Sequence, residues 1–395
     1  MVAMLSKEHE DFRRVVREFA ESRIAPHVAQ WDSDHHFPVD VVQEMGELGL
    51  FGITAPQEFG GADGDFTSLC VAIEELGRVD QALGVTLEAA VGLGINPLLT
   101  FGTQEQKERW LPDLVAGRTL AGFGLTEPGA GSDAGATSTR AVLDETAGEW
   151  VVDGAKQFIT NSGSEITSLV TVTARTGTRE DGSAEISTIT IPSGTPGFIV
   201  EPAYDKLGWN ISDTHPLTFQ GARVPQDHLL GERGRGYAQF LATLDDGRIA
   251  IAALAVGCIQ ACLEHCVSYA GERTTFGKPI GAKQGVAFQI ADLATMADVG
   301  RAITYRAAAL KDAALKGGGV SGAELKQAAS VAKLYTSEAA VSATRIATQV
   351  FGGYGFMEEY PVARFYRDAK ILEIGEGTSE VQRMLIARGL GLPVE

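Results

Sequence analysis

The sequence predicts an α+β fold, mainly α, in three parts: an N-terminal α-helical domain over 1–120, a middle antiparallel β domain over 121–235 and a C-terminal four-helix bundle over 236–395. Three observations predict it. Apolar residues recur at helical spacing as far as about Leu120. Short β-rich runs divided by turn residues follow from Ala121, and helical spacing returns near Gly236 and persists. A chain of 395 residues is long enough for two or three domains and a large core.

In the first part, Phe12, Val15, Val16 and Phe19 define one apolar face. Val41, Met45 and Leu48 define a second, and Leu69, Ile73 and Leu76 a third. Gly60-Gly61-Ala62-Asp63-Gly64 interrupts as a loop. Thr103 with Gln106 three residues later forms a capping box that opens a helix toward Leu114. The strands expected next lie at 150–152, 157–160, 169–173, 186–191 and 197–200, with turns at Asp153-Gly154, Asp181-Gly182 and Thr195-Pro196-Gly197. No helix alternates with them, so the expectation is an antiparallel sheet or barrel and not a parallel nucleotide fold. Further on, Val286, Ile290, Leu293, Met296, Val299, Ile303, Ala307 and Leu310 advance by three or four residues. Gly317-Gly318-Gly319 then turns the chain between two long helices, as a helical bundle requires.

Lys and Arg number 33 against 51 Asp and Glu, a net charge of −18, which argues against a nucleic acid or an anionic membrane as partner. The polar, acid-containing stretch Met1–Glu10 reads as neither a secretory nor a transit signal. The longest apolar run, Ile249 to Ile259, is shorter than the ~20 residues of a membrane span and reads as a helix buried on all sides. A soluble, cytoplasmic protein is expected. Cys70, Cys258, Cys262 and Cys266 make no disulfide framework. The last three recur every four residues as core thiols, and no metal site is expected. The pair His35-His36 reads as a solvated loop.

Four segments carry chemistry. In Ile374-Gly375-Glu376-Gly377-Thr378-Ser379-Glu380, a carboxylate between two glycines rides on backbone able to take positive φ and approach another molecule. This suits a base reaching into a buried pocket. Read alone, the same residues also make a helix entry, with Thr378 or Ser379 as N-cap and Glu380 as a first-turn acid. Leu125 to Ala134 is rich in glycine and hydroxyls. Its Gly129, Gly131 and Gly135 are spaced GxGxxxG without a surrounding βαβ unit, so a Rossmann reading fails. What remains is a loop suited to a phosphate or a flat heterocycle. Lys156 to Asn161 is a strand with an aromatic and a hydroxyl on one side. Gly271 to Pro279 is a basic interhelix loop whose Arg273 and Lys278 could meet phosphates.

Together these segments resemble the acyl-CoA dehydrogenases, flavin enzymes that desaturate acyl thioesters between the α and β carbons. The resemblance covers essentially the whole chain. It runs in order through the 125–133 block, Phe-Ile-Thr-Asn at 158–161, Arg-Thr-Thr-Phe-Gly-Lys at 273–278, Gln349 to Phe356, Tyr366 to Lys370 and Glu376 to Glu380. It implies FAD as cofactor, with Phe123, Leu125, Thr126, Gly131 and Ser132 lining it and Phe158, Ile159 and Thr160 covering one face of the isoalloxazine. Thr378 and Glu380 are implied as further FAD contacts. Arg273, Thr275, Phe276, Gln284 and Gln349, Val350, Phe351, Gly352 and Gly353 are implied to reach the FAD of a neighbouring subunit, hence a homotetramer. Ser132, Asp245 and Arg248 match positions that meet the CoA portion. Gly375, Gly377, Val85, Thr86 and Ala89 match the acyl pocket.

Glu376 matches the catalytic base. Some members carry the base just before the arginine of the first C-terminal helix, and there this chain has Gly247. The resemblance implies that Glu376 takes the α-proton while the β-hydride passes to flavin N5, giving a trans-2-enoyl-CoA, with electrons leaving to an electron-transferring flavoprotein. Burial is expected to raise the Glu376 pKa toward the working pH. Two departures bear on the acyl group: Gly375 stands where the family often has tyrosine, and Asn210 where arginine is common. The small residues Val85, Thr86 and Ala89 with Gly375 lead us to expect branched or bulky acyl groups. An acyl-CoA oxidase or flavin monooxygenase on the same fold, or a catalytically silent flavoprotein or scaffold, are the alternative readings.

Overall fold

The computed structural model describes residues 5–394, so the first four residues of the stretch read for a targeting signal lie outside the described residues. The chain opens with helices α1 (Lys7–Phe19), α2 (Val28–Asp34), α3 (Val39–Glu47), α4 (Phe66–Val79), α5 (Gln81–Glu88), α6 (Asn96–Phe101) and α7 (Gln104–Val115). Thr103 and Gln106 close the expected capping box on α7, each side chain bonding the other's backbone N–H. Two π-helical turns, Ala20–Ile24 and Ala89–Ile95, extend α1 and α5. Of the expected apolar faces, Leu69, Ile73 and Leu76 are buried, whereas Val15 and Leu48 are exposed, because none of the described residues covers those flanks.

The strands are β1 (Leu120–Gly124), β2 (Arg140–Asp144), β3 (Glu149–Thr160), β4 (Thr167–Thr178), β5 (Ala184–Pro192), β6 (Phe198–Val200), β7 (Thr214–Pro225) and β8 (Leu229–Leu230). The sheet order is β6-β7-β3-β2-β4-β5-β8, with β1 added on β4. Most pairings are antiparallel, as the turn signals require. The exceptions are β1, which runs parallel to β4 from Leu120↔Thr167 to Gly124↔Val172, and a single parallel pair, Arg140↔Arg175, between β2 and β4. The connection from β1 to β4 passes through β2 and β3 and is far longer than the dozen or so residues a parallel crossover needs. No local pattern marks such a pairing, so the sheet is mixed where an antiparallel one was expected.

The C-terminal part has three long helices, α8 (Gly236–Glu272), α9 (Gln284–Leu315) and α10 (Gly322–Phe351), with a two-stranded ribbon, β9 (Thr274–Thr275) and β10 (Lys278–Pro279), between the first two. The fourth position of the bundle is interrupted: α11 (Pro361–Ala369) and α12 (Ser379–Gly389) pack on α10. The helical parts share one continuous core running from Leu5 to Leu372, while the sheet closes a second core around Trp150, Val172 and Phe219. Two helical stretches, Gln81–Phe101 and Gly236–Glu272, are long and apolar enough to cross a membrane by composition. In each, 78% of the apolar window is buried inside the protein. Ile249 to Ile259 is buried throughout, as its unbroken apolarity predicts. The four cysteines are free and buried, and burial pushes the Cys266 thiol up to about 12.

Candidate active site

Four elements converge on Glu376: the loop before α12 that carries it, α8 at Gly247, α10 at Lys333 and the end of α5 at Glu88. Positive φ was expected of the flanking glycines. It falls on one of them, Gly377 (φ 89°), and on Glu376 itself (φ 52°), while Gly375 stays in ordinary backbone space. A non-glycine residue there stores strain, on the order of 1–3 kcal/mol, and persists only where its surroundings hold it. Here they do. The Gly377 carbonyl accepts from Lys333 Nζ on α10 at 2.8 Å and from Gln382 Nε2 at 3.0 Å, and Gln382 also reaches the Glu376 carbonyl at 3.3 Å. Thr378 is the N-cap of α12, its hydroxyl accepting from the Val381 N–H, and Glu380 is an exposed first-turn acid.

The residue Glu376 keeps some accessibility, but its carboxyl is enclosed and Oε2 is fully buried. Burial raises its pKa, opposed by the facing Glu88 side chain and by the Lys333 and Arg248 charges. A Cβ placed on Gly247 would sit 2.9 Å from the Glu376 Cδ and nearer still to Oε2. The glycine on α8 is the floor on which the carboxylate rests. Arg248 is buried and paired with Asp245, and its charge acts on Glu376, so its guanidinium belongs to the base's surroundings as well as to the expected CoA contact. Lys333, fully buried, has its pKa lowered to about 8 by burial, with Glu376 opposing and Arg248 adding to the shift.

The expected acyl-pocket residues Val85, Thr86 and Ala89 are all buried on one stretch of helix. The Thr86 hydroxyl is turned back to the Ala82 carbonyl at 2.9 Å, so this residue presents no free polar group. Asn161 Nδ2 donates to the Thr86 carbonyl at 3.1 Å and ties this helix to the end of β3. At that end a bulge between Lys156 and Ile159 puts Phe158 at φ 62° and 62% exposed, with Thr160 partly exposed on the same side. Ile159 faces inward and is buried in the sheet core. Its side chain therefore cannot cover a ligand, contrary to expectation, because the strand alternates after the bulge.

Beside this face runs the 125–133 loop, in which Leu125 and Thr126 are half-buried and Gly131 and Ser132 exposed. Gln157 N–H donates to the Thr126 carbonyl at 2.8 Å, holding loop and strand together. Buried Lys156 anchors the loop from below, at 2.7 Å from Glu127 and 3.3 Å from the Leu125 carbonyl. Phe123 is buried against Phe240, ring centroids 3.8 Å apart, so its side chain is packed away rather than presented as an exposed surface. A flat heterocycle fits what is left. An exposed aromatic and a hydroxyl share one strand face, next to a loop where Gly129 and Gly131 have open space above them.

The basic segment lies elsewhere. Arg273 stacks over Tyr354 at 5.6 Å and Tyr269 stacks on Phe351 at 4.0 Å, which brings the 273–276 ribbon and the 349–353 segment together. Gln284, Gln349, Gly352 and Gly353 are exposed, Thr275 is half-exposed and Phe276 is 95% exposed. Val350 and Phe351 are buried in the bundle, so their side chains cannot reach another subunit's cofactor and only their backbone could. Along α8, Arg273 is separated from Arg248 by about 37 Å at 1.5 Å per residue. One chain cannot bring both to the same group.

Sequence reasoning missed Glu88, Lys333 and Gln382. Lys333 left a faint signal, a lysine between Ala329 and Ser337 with no acid one turn away on either side. Glu88 and Gln382 left none. Among the described residues no three His, Cys, Asp or Glu are placed to hold a metal ion.

Three family models match the chain: the acyl-CoA dehydrogenase N-terminal domain over residues 6–118, the middle domain over 122–222 and the C-terminal domain over 234–391. The chain is 46% identical over 386 residues to the Bacillus subtilis (strain 168) protein named "Probable acyl-CoA dehydrogenase YngJ", covering 98% of each. It superposes on butyryl-CoA dehydrogenase from Megasphaera elsdenii with a TM-score of 0.91 at 38% identity, covering 98% of both chains. An acyl-CoA dehydrogenase from Bacillus anthracis complexed with FAD gives a TM-score of 0.90 at 31% identity, over 98% of this chain and 69% of that one. The chain belongs to the acyl-CoA dehydrogenase family, and is an enzyme whose cofactor is FAD.

Proposed function

We propose that this enzyme removes the α-proton of an acyl-CoA thioester with Glu376 and releases the trans-2-enoyl-CoA. The observation that carries the reading is the buried Glu376 carboxyl, strained into positive φ and resting on Gly247. A thioester α-proton is weakly acidic, so a base must be held close and ionised at working pH. Lys333 and Arg248 favour the ionised form against burial, and Lys333 and Gln382 fix the loop that carries it. The Glu376 backbone N–H is the donor this chain would aim at the thioester oxygen as charge develops there. Thr126, Ser132, Phe158 and Thr160 would hold FAD, which when bound supplies the acceptor for the β-hydride. The enclosure of the carboxyl keeps water from the reacting carbons.

Asp245, Arg248 and Ser132 are proposed for the CoA portion, and Val85, Ala89 and Gly375 for the acyl group, with branched chains accommodated at Gly375. The acceptor of the electrons is proposed to be an electron-transferring flavoprotein. Phe276 and the 349–353 segment are proposed to meet a second subunit of a tetramer, since an aromatic 95% exposed in one chain invites cover. Sizing chromatography of Phe276→Ser should give a smaller species that loses flavin; an unchanged flavinated oligomer would refute that placement. The activity itself is tested by mixing the yellow enzyme anaerobically with straight, branched and aromatic acyl-CoAs. Bleaching with a branched acyl-CoA, and recovery with an electron-transferring flavoprotein but not with oxygen, supports the reading. No bleaching with any acyl-CoA overturns it.

A further inference from the structure

The last residue of α5, Glu88, is 1% exposed and stands at the point where the helix widens into the π-helical turn Ala89–Ile95. Such turns gather at functional sites. Its carboxyl faces that of Glu376 within hydrogen-bonding reach. Both Glu88 oxygens and Glu376 Oε2 are buried, and none of the three receives a hydrogen bond from any donor among the described residues. Buried acceptors left unpaired cost ~1–3 kcal/mol each, and charged ones more. Two ionised carboxylates have only acceptors to offer one another. One proton placed between them turns one carboxyl into a donor and pairs oxygens on both residues at once.

We propose that Glu88 carries this proton and donates it in a hydrogen bond to the Glu376 carboxylate, and so acts as the positioning residue of the base. The inference rests on Glu376 being the base proposed above. The surroundings decide which partner is neutral. Glu376 is faced by the Lys333 ammonium from α10 and the Arg248 guanidinium from α8, and both favour its ionised form. Lys333 is faced in turn by Glu373 and Glu380, and Arg248 is paired with Asp245. Glu88 is faced by no cation, only by Glu376, and burial with that neighbour holds its carboxyl well above the usual carboxylate range. Two carboxyls sharing one site cannot both ionise without a large repulsive cost; the one without a cation keeps the proton. The hydrogen bond then fixes one lone pair of Glu376 and leaves the other for substrate.

The test uses the FAD-loaded enzyme and three forms of position 88. In Glu88→Gln the amide still donates but carries no titrating proton; in Glu88→Ala the donor is gone. Asp368, raised to about 7 by burial, gives a protonated-carboxyl band of its own. The readout is therefore the infrared difference between wild type and Glu88→Gln without substrate at neutral pH, which should show the loss of one protonated-carboxyl band. In the pH profile of anaerobic flavin reduction by an acyl-CoA, Glu88→Ala should move the rising limb upward by about one unit, a tenfold loss below it, and Glu88→Gln should restore its position. A difference spectrum with no lost protonated-carboxyl band, or a Glu88→Ala profile that superimposes on wild type, would overturn the proposal. The infrared measurement needs no turnover, so it judges the proton pair even if Glu376→Gln proves active and the base must be sought elsewhere.

Discussion

Gly247 on α8 and Glu376 in the loop before α12 occupy one space: a methyl group on the first would lie 2.9 Å from the carboxyl carbon of the second. A side chain at 247 and the carboxylate of Glu376 therefore exclude each other in this chain. A glycine at 247 is what a carboxylate at 376 requires.

Gly247→Ala should displace the carboxylate without disturbing the cofactor. A misplacement near 1 Å costs on the order of 10²-fold in rate. The enzyme should keep its flavin absorbance and lose about that much of its anaerobic reduction rate. A wild-type rate would mean that the carboxyl moves freely and that the contact has no catalytic meaning.

Lys333 links pH to both stability and activity. Its pKa is lowered from the ordinary 10.5 to about 8, so between those values the unfolded chain binds more protons than the folded one. The contribution of this group to stability therefore rises with pH across that window. Activity should move the other way, because above about pH 8 the charge that favours ionised Glu376 is lost. The pH profile of flavin reduction is predicted to fall near pH 8, and Lys333→Arg, which keeps its charge, should remove that falling limb. A limb unmoved by the substitution would assign it to another group.

Gly375 has room for a side chain: its φ is not positive, and an added Cβ would meet only the Ile371 carbonyl at 3.5 Å. Backbone geometry therefore does not demand glycine there. Gly375→Tyr places a ring of roughly 150–250 Å² beside the base. Turnover of branched or bulky acyl-CoAs should fall at least tenfold while a short straight-chain substrate is spared. Equal loss on every substrate would contradict the pocket argument.

The parts of this molecule that follow from local pattern were legible in the residues. The Leu69-Ile73-Leu76 stripe is buried, the Thr103-Gln106 box caps α7, and the apolar run at 249–259 is a fully enclosed helix. The glycine-flanked Glu376 was visible in its own segment, which read alone served also as a helix entry; the resemblance along the rest of the chain singled it out as the base. What stayed hidden depends on chain segments far apart in sequence. The parallel pairing of β1 with β4 has no turn to announce it. Val299, on the expected stripe of α9, is 40% exposed because periodicity tells which face is apolar and not what covers it. Glu88, an acid at the end of a helix, carries no mark of its neighbour 288 positions later until the fold brings α5 against the loop.

The central claim is that Glu376 removes the substrate α-proton, and Glu376→Gln tests it most directly. The amide has the same shape and no basicity, so flavin content and thermal stability should be retained. The rate of anaerobic flavin reduction by an acyl-CoA should fall by roughly 10²–10⁴ or more, the contribution of a positioned general base. A variant that reduced its flavin at close to the wild-type rate would contradict the account.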